Sequence, residues 1–121
     1  MLKKVAFTMY PVKDMSSARA FYEDVLGLGP SSSGETSPWV EWDLPGGGCL
    51  AITNVTGNEA SASAGGTIAF EVDNLPVTVA ALKEKGVTIL HEGIESPVCN
   101  MTIIADPDGN SIILHKLKRE A

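Results

Sequence analysis

The sequence predicts an α+β fold built from two βαβββ modules, and three observations predict it. The first is an internal repeat. Residues 5–28 and residues 67–90 both read as strand, short connection, amphipathic helix and glycine. Val12-Lys13-Asp14-Met15 in the first half stands opposite Val72-Asp73-Asn74-Leu75 in the second. The second observation is that strand-like runs follow each helical pattern in both halves, so helices gather on one side of a mixed sheet. The third is length. A chain of 121 residues makes one domain, whose halves are too small to be stable apart. The modules are expected at about 3–56 and 66–117, with a linker at 57–65.

The elements follow in order. Lys4 to Val12 reads as a strand, with Pro11 at its end or at an edge. Asp14 to Ser17 offers several N-caps. The helix then runs to about Leu26: Ala18, Phe21, Tyr22 and Val25 form an apolar stripe, and Gly27 ends it. Gly29 to Pro38, rich in serine and glycine, is a flexible loop by composition. Trp39 to Leu44 and Cys49 to Val55 read as strands around the turn Pro45-Gly46-Gly47-Gly48. Thr56 to Gly66 is small and polar, as linkers are. Thr67 to Val72 is the next strand. Pro76 suits the first turn of the second helix; Leu75, Val79 and Leu82 are its apolar stripe and Gly86 its end. Val87 to Leu90 is a short strand. Met101 to Ala105 and Ser111 to Lys116 flank Asp106-Pro107-Asp108-Gly109-Asn110, where proline second and glycine fourth give type I turn chemistry. The reading amounts to eight strands and two helices.

Composition narrows the function classes. The net charge is -6, and the nine basic residues cluster only in the tail Lys116-Leu117-Lys118-Arg119. That balance disfavours nucleic acid and anionic membranes and is compatible with a cationic ligand. No apolar run is long enough to span a bilayer, and the start Met1-Leu2-Lys3-Lys4 lacks the features of a signal peptide. A cytoplasmic protein is expected, with Cys49 and Cys99 as reduced thiols rather than a disulfide.

The chain resembles the vicinal oxygen chelate superfamily, which holds glyoxalase I, extradiol dioxygenases and bleomycin-resistance proteins. Four segments carry the resemblance: Val12-Lys13-Asp14-Met15, Phe21 to Leu28, Ile68-Ala69-Phe70-Glu71-Val72 and Asp106-Pro107-Asp108-Gly109-Asn110. It runs from about Lys3 to Lys116. It implies curved mixed sheets that form a cup with one helix per module outside. Metal-dependent members place one ligand from each of four strands inside that cup. The matching positions here are Phe7, Ala51, Thr67 and Ile113. Phenylalanine, alanine and isoleucine offer no lone pair, and a lone threonine hydroxyl is a poor ligand. The resemblance with these four replacements implies no metal and no cofactor.

On the same resemblance the cup is lined by Val5, Phe7, Met9, Cys49, Ala51, Thr53, Thr67, Ala69, Ser111, Ile113 and His115. That is an apolar wall with a few hydroxyls, the usual make-up of a small-molecule site, although a filled core would read the same way. Trp39 and Trp42 differ by three positions and point to opposite faces of their strand, so one packs under a helix and the other faces the cup. An aromatic wall suits a planar or cationic ligand. His115 shares the face of Ile113 and is available as a ligand contact or a base, or is simply exposed at a strand end. His91 reads as an exposed loop residue. A reactive Cys49 would need a cationic neighbour, and none is visible. No nucleophile elbow or dinucleotide-binding glycine motif is present. No catalytic residue is assigned.

The expected protein is a metal-free, homodimeric small-molecule binder of the glyoxalase/bleomycin-resistance type. Such proteins sequester drugs in grooves at a dimer interface. The alternative is a glyoxalase- or dioxygenase-like enzyme with a site that avoids the usual four ligands or uses His115. A third is a module that binds protein. A metal that binds only the folded state must raise stability. Zn, Ni, Mn or Fe(II) should therefore leave the thermal midpoint unchanged. One equivalent of tightly held metal, lost on mutating His115, would overturn this reading of the four positions.

Overall fold

The computed structural model describes residues 1, 3, 5–54, 60–62 and 67–118. The chain divides into two compact units, Met1–Ala60 and Ser61–Ala121. The expected linker, the Lys4 start of the first strand and Arg119 of the tail lie wholly or partly outside the described residues. Among the described residues no helix is long and apolar enough to cross a membrane.

The first unit runs β1 (Thr8–Pro11), α1 (Met15–Ala20), a π-helical turn (Phe21–Val25), β2 (Trp39–Asp43) and β3 (Cys49–Thr53). Its mixed sheet has the order β1-β3-β2, with β1 parallel and β2 antiparallel to β3. Asp14 caps α1 by accepting the Ser17 N–H at 3.1 Å. The helix widens where Leu26 N–H reaches the Phe21 carbonyl, five residues back, at 2.9 Å. Adjacent Phe21 and Tyr22 are both buried there and meet edge to face, centroids 5.2 Å apart. Ala18, Phe21, Tyr22, Tyr10, Val40, Trp42, Leu50 and Ile52 make the core of this unit. Burying each large apolar side chain contributes about 1.5–3 kcal/mol.

The second unit runs β4 (Ile68–Glu71), α2 (Leu75–Glu84), β5 (Ile89–Glu95), β6 (Cys99–Ala105) and β7 (Ser111–Leu117), with sheet order β4-β7-β6-β5. Asn74 caps α2 through the Val77 N–H at 3.1 Å. Pro76 occupies the first turn, and Leu75, Val79 and Leu82 are the buried stripe. Gly86, at φ 80°, takes the left-handed conformation that ends the helix. The repeat is visible in the register: Met9 pairs with Ala51 in β1–β3 as Ala69 pairs with Ile113 in β4–β7. The Asp106 carbonyl accepts the Gly109 N–H at 3.1 Å, closing the expected turn. The buried Asp106 carboxylate braces it by accepting from Asp108 N, Asn110 N and Asn110 Nδ2 at 2.8–3.0 Å.

Three expectations need correction. Seven strands are found among the described residues, not eight, because no strand pairs with the outer edge of β2. Serine hydroxyls take its place: Ser31 Oγ donates to the Glu41 carbonyl at 2.8 Å and Ser37 Oγ to the Trp39 carbonyl at 2.6 Å. β1 is shorter than expected, since its partner β3 begins only at Cys49, after the glycine turn. β5 is longer. It passes through His91 and Gly93 by shifting register against β6, so His91 is an exposed strand residue rather than a loop residue.

Segment 29–38 is a loop, but it is tied down. Arg19 donates through Nε to Glu23 Oε2 at 3.0 Å, through Nη1 to the Gly34 carbonyl at 2.9 Å, and through Nη2 to the Ser33 and Ser31 carbonyls at 2.8 and 3.3 Å. Glu23 Oε2 also accepts the Ser31 N–H at 2.8 Å and Trp42 Nε1 at 3.3 Å. Burial alone would push the Glu23 carboxyl up. The Ser31 N–H, Arg19 and the Trp42 indole together outweigh it and hold the group below its ordinary value of 4.5. A depressed carboxyl contributes stability above its unfolded-state value, lost as pH falls through the lower folded one. Glu23→Gln should cost about 2 kcal/mol at neutral pH. The thermal midpoint of the unsubstituted protein should also fall more steeply below pH 4.5 than that of the variant. Parallel profiles would show that Glu23 does not hold this loop.

Candidate functional site

Strand alternation gives each sheet a helix-facing side and an opposite side. In the first unit the opposite side carries Met9, Trp39, Glu41, Asp43, Cys49, Ala51 and Thr53. Phe7, just before β1, joins it through its contact with Trp39. In the second unit that side carries Ala69, Glu71, Met101, Ile103, Ser111, Ile113 and His115. Thr67 joins it through a 2.7 Å hydroxyl–hydroxyl bond to Ser111.

The two tryptophans separate as strand parity requires. Trp42 is 4% exposed, lies 5.6 Å from Tyr22 between ring centroids and donates to Glu23. Its burial in the helix-facing core removes it from the ligand-facing set expected from the sequence. Trp39 is half-buried on the opposite side. Its ring meets Phe7 edge to face at 5.2 Å and 87°, and its Nε1 donates to Glu41 Oε2 at 2.9 Å. Phe7 is 46% exposed.

The remaining positions of the first unit differ in access. Met9 and Cys49 are half-buried. Ala51, between Met9 and Glu41 in the register, is 0% exposed, so it is floor rather than contact surface. Thr53 is equally buried and donates to the Pro38 carbonyl at 2.7 Å. Burial, reinforced by the Glu41 and Asp43 carboxylates, pushes the Cys49 thiol up, the opposite of activation. Both cysteines are free thiols.

In the second unit Ile113 is half-buried beside Ala69, and Ser111 is buried. His115 Nδ1 lies 2.5 Å from Glu71 Oε1, while Glu71 Oε2 accepts the Leu117 N–H at 3.0 Å. The His115 hydrogen bond first, and that N–H second, hold the Glu71 carboxyl below its ordinary value. The Glu71 contact fixes the orientation of the His115 ring. Glu41, Asp43 and Glu71 were not among the expected site residues. Parity was the signal available: Glu41 follows Trp39 by two positions, and Glu71 follows Thr67 by four.

The four positions that the resemblance assigns to metal ligands fall on these sides, Phe7 and Ala51 in one unit, Thr67 and Ile113 in the other. Their one donor is the Thr67 hydroxyl, already bonded to Ser111. Among the described residues no group of three or more His, Cys, Asp and Glu is gathered that could hold a metal ion. This donor set does not fit a divalent metal.

A separate cleft of about 410 Å³ opens on the helix side of the second sheet, between α2 and the bulged part of β5. Leu75, Val79, Ile94, Asn100 and Lys116 are among its lining residues. Lys83 and Glu92, also in its lining, form an ion pair at 2.8 Å. Its sequence signal is Gly93, at φ 72° within a strand.

Comparison with known proteins places this geometry. No curated protein matches the chain. Among solved structures, TnmS3, an antibiotic binding protein from Streptomyces sp. CB03234, is similar with TM-score 0.78 and 24% identity, covering 97% of this chain and 98% of that one. A glyoxalase/dioxygenase from Nostoc punctiforme is similar with TM-score 0.78 and 19% identity, covering 97% and 92%. A glyoxalase/bleomycin resistance protein from Streptomyces sp. CB03234 is similar with TM-score 0.72 and 25% identity, covering 92% and 98%. A family model matches residues 4–114, nearly the whole chain, and on that match the chain belongs to the Glyoxalase/Bleomycin resistance protein/Dioxygenase superfamily.

Proposed function

We propose that the chain is a metal-independent, cytoplasmic, homodimeric protein that binds and sequesters a small molecule, an antibiotic or a metabolite. The observation that carries this reading is the accessible Phe7–Trp39 pair, in which a ring stands at a position that would otherwise supply a metal donor. Aromatic surface of this kind holds planar molecules by stacking and cations by the ring quadrupole. The net charge of -6 is compatible with a cationic ligand. That a protein of this fold, TnmS3, is an antibiotic binding protein supports the reading further.

A second reading, a glyoxalase- or dioxygenase-like lyase or oxidoreductase that avoids the usual four ligands, is favoured by the Glu71–His115 pair. An imidazole held by a carboxylate can take a proton from a bound substrate. His115→Asn separates the two. Binding without turnover, unchanged by the substitution, favours the first reading, and a turnover lost with it favours the second.

A screen of aromatic and basic antibiotics by tryptophan fluorescence should find a saturable quencher. Trp39→Phe should weaken it about tenfold, the loss of about 1.4 kcal/mol of stacking. Trp42→Phe should leave affinity intact and cost about 1–2 kcal/mol of stability through the lost Tyr22 contact and Glu23 bond. Ala51→Leu should be destabilising by about 1–3 kcal/mol, because Ala51 is itself fully buried beneath that surface. If Trp42→Phe abolishes binding and Trp39→Phe does not, the assignment of faces is wrong. Sedimentation at micromolar concentration should give twice the 12.7 kDa chain mass. A clean monomer would remove the dimer from the proposal.

A further inference from the structure

The side of the first sheet that carries Phe7 and Trp39 has a definite chemical bias. The two rings stand at 87° with centroids 5.2 Å apart, so their faces form a corner. Glu41 is fixed beside that corner, because its Oε2 accepts the Trp39 indole N–H at 2.9 Å. Asp43 follows two residues on, on the same side and also exposed. The register positions of this side, from Met9 through Trp39, Glu41, Asp43, Cys49, Ala51 and Thr53, include no lysine or arginine.

We infer that this corner receives a quaternary or N-alkylated ammonium group of an organic ligand, with the Phe7 and Trp39 rings as its walls and Glu41 and Asp43 as its counter-charge. The inference rests on the small-molecule reading above and narrows it to a ligand class. A primary ammonium carries three N–H donors and needs three acceptors. One oxygen of the carboxylate nearest the rings is engaged by the indole N–H. An alkylated ammonium donates little or nothing. It spreads its charge over methyl groups, and those pack against ring faces while a nearby carboxylate balances the charge without a hydrogen bond. An anionic ligand meets two carboxylates here and, at these register positions, no cation. The negative potential reaches across the sheet: after burial itself, Glu41 and Asp43 are what push the Cys49 thiol up.

The test uses choline and its uncharged carbon isostere 3,3-dimethylbutan-1-ol, which match in shape and differ in charge. The 121-residue chain is titrated with each while the indole N–H signals of Trp39 and Trp42 are followed by NMR. Choline should shift the Trp39 signal saturably, leave Trp42 unmoved, and bind at least tenfold more tightly than the alcohol. Glu41→Gln with Asp43→Asn keeps an acceptor for the indole and removes the charge. It should weaken choline about tenfold and leave the alcohol unchanged. Equal binding of choline and the alcohol would overturn the inference and leave the small-molecule reading standing. The same holds if choline fails to move Trp39 while an antibiotic from the fluorescence screen still quenches it. If neither probe nor any screened compound touches Trp39, the inference and the reading on which it rests both fail.

Discussion

One parallel strand pair in each sheet governs where everything else can go. β1 lies on β3 and β4 lies on β7 in equivalent register, and a parallel pair needs a crossover, which α1 and α2 supply. Each helix then claims one side of its sheet. Tyr10, Leu50 and Ile52 are committed to that side in the first unit, Ile112 and Leu114 in the second. Chemistry is left to the residues of opposite parity. A shift of one residue in either pairing would exchange the two sets and bury the polar one.

The two sides are built by different means. On the helix-facing side apolar area supplies the stability, and polar groups are admitted only when paired, as Glu23 is by Arg19, Ser31 and Trp42. On the other side pairs form at the ends of the ladders: Phe7 with Trp39, Thr67 with Ser111, Glu71 with His115. Those pairs orient side chains more than they add to the core. By parity Ala51 and Ile113 belong to this second side, away from the residues that form the helix-facing core.

Much of this was legible in the sequence. Asp14 is the cap among those the sequence offered, the apolar stripes bury as their spacing demands, and the glycine turns close the hairpins. These features are local, and local rules reach them. What stayed hidden depends on partners distant in the chain. Whether Trp39 or Trp42 faces the helix is set by the β2–β3 register, not by either residue. Glu71 meets His115 across 44 positions. The extension of β5 through His91 and Gly93 is imposed by β6, against the breaker chemistry of its own residues. The fourth strand that the first sheet lacks among the described residues is the plainest case. Segment 29–38 reads as loop in composition, yet its serines do a strand's hydrogen bonding.

That substitution bears on how the protein behaves when crowded. The outer rim of a sheet is a template on which a foreign strand can assemble, and β2 presents such a rim. Hydroxyl groups from Ser31 and Ser37 occupy two of its carbonyls, and Arg19 holds the segment that delivers them. An incoming chain must first break those bonds and dislodge the segment. The cover offers little in return, because side-chain hydroxyls do not repeat at the spacing of a ladder. Two of the rim's carbonyls are thus taken without offering a ladder to extend, which guards the chain against growing into ribbons with its own copies.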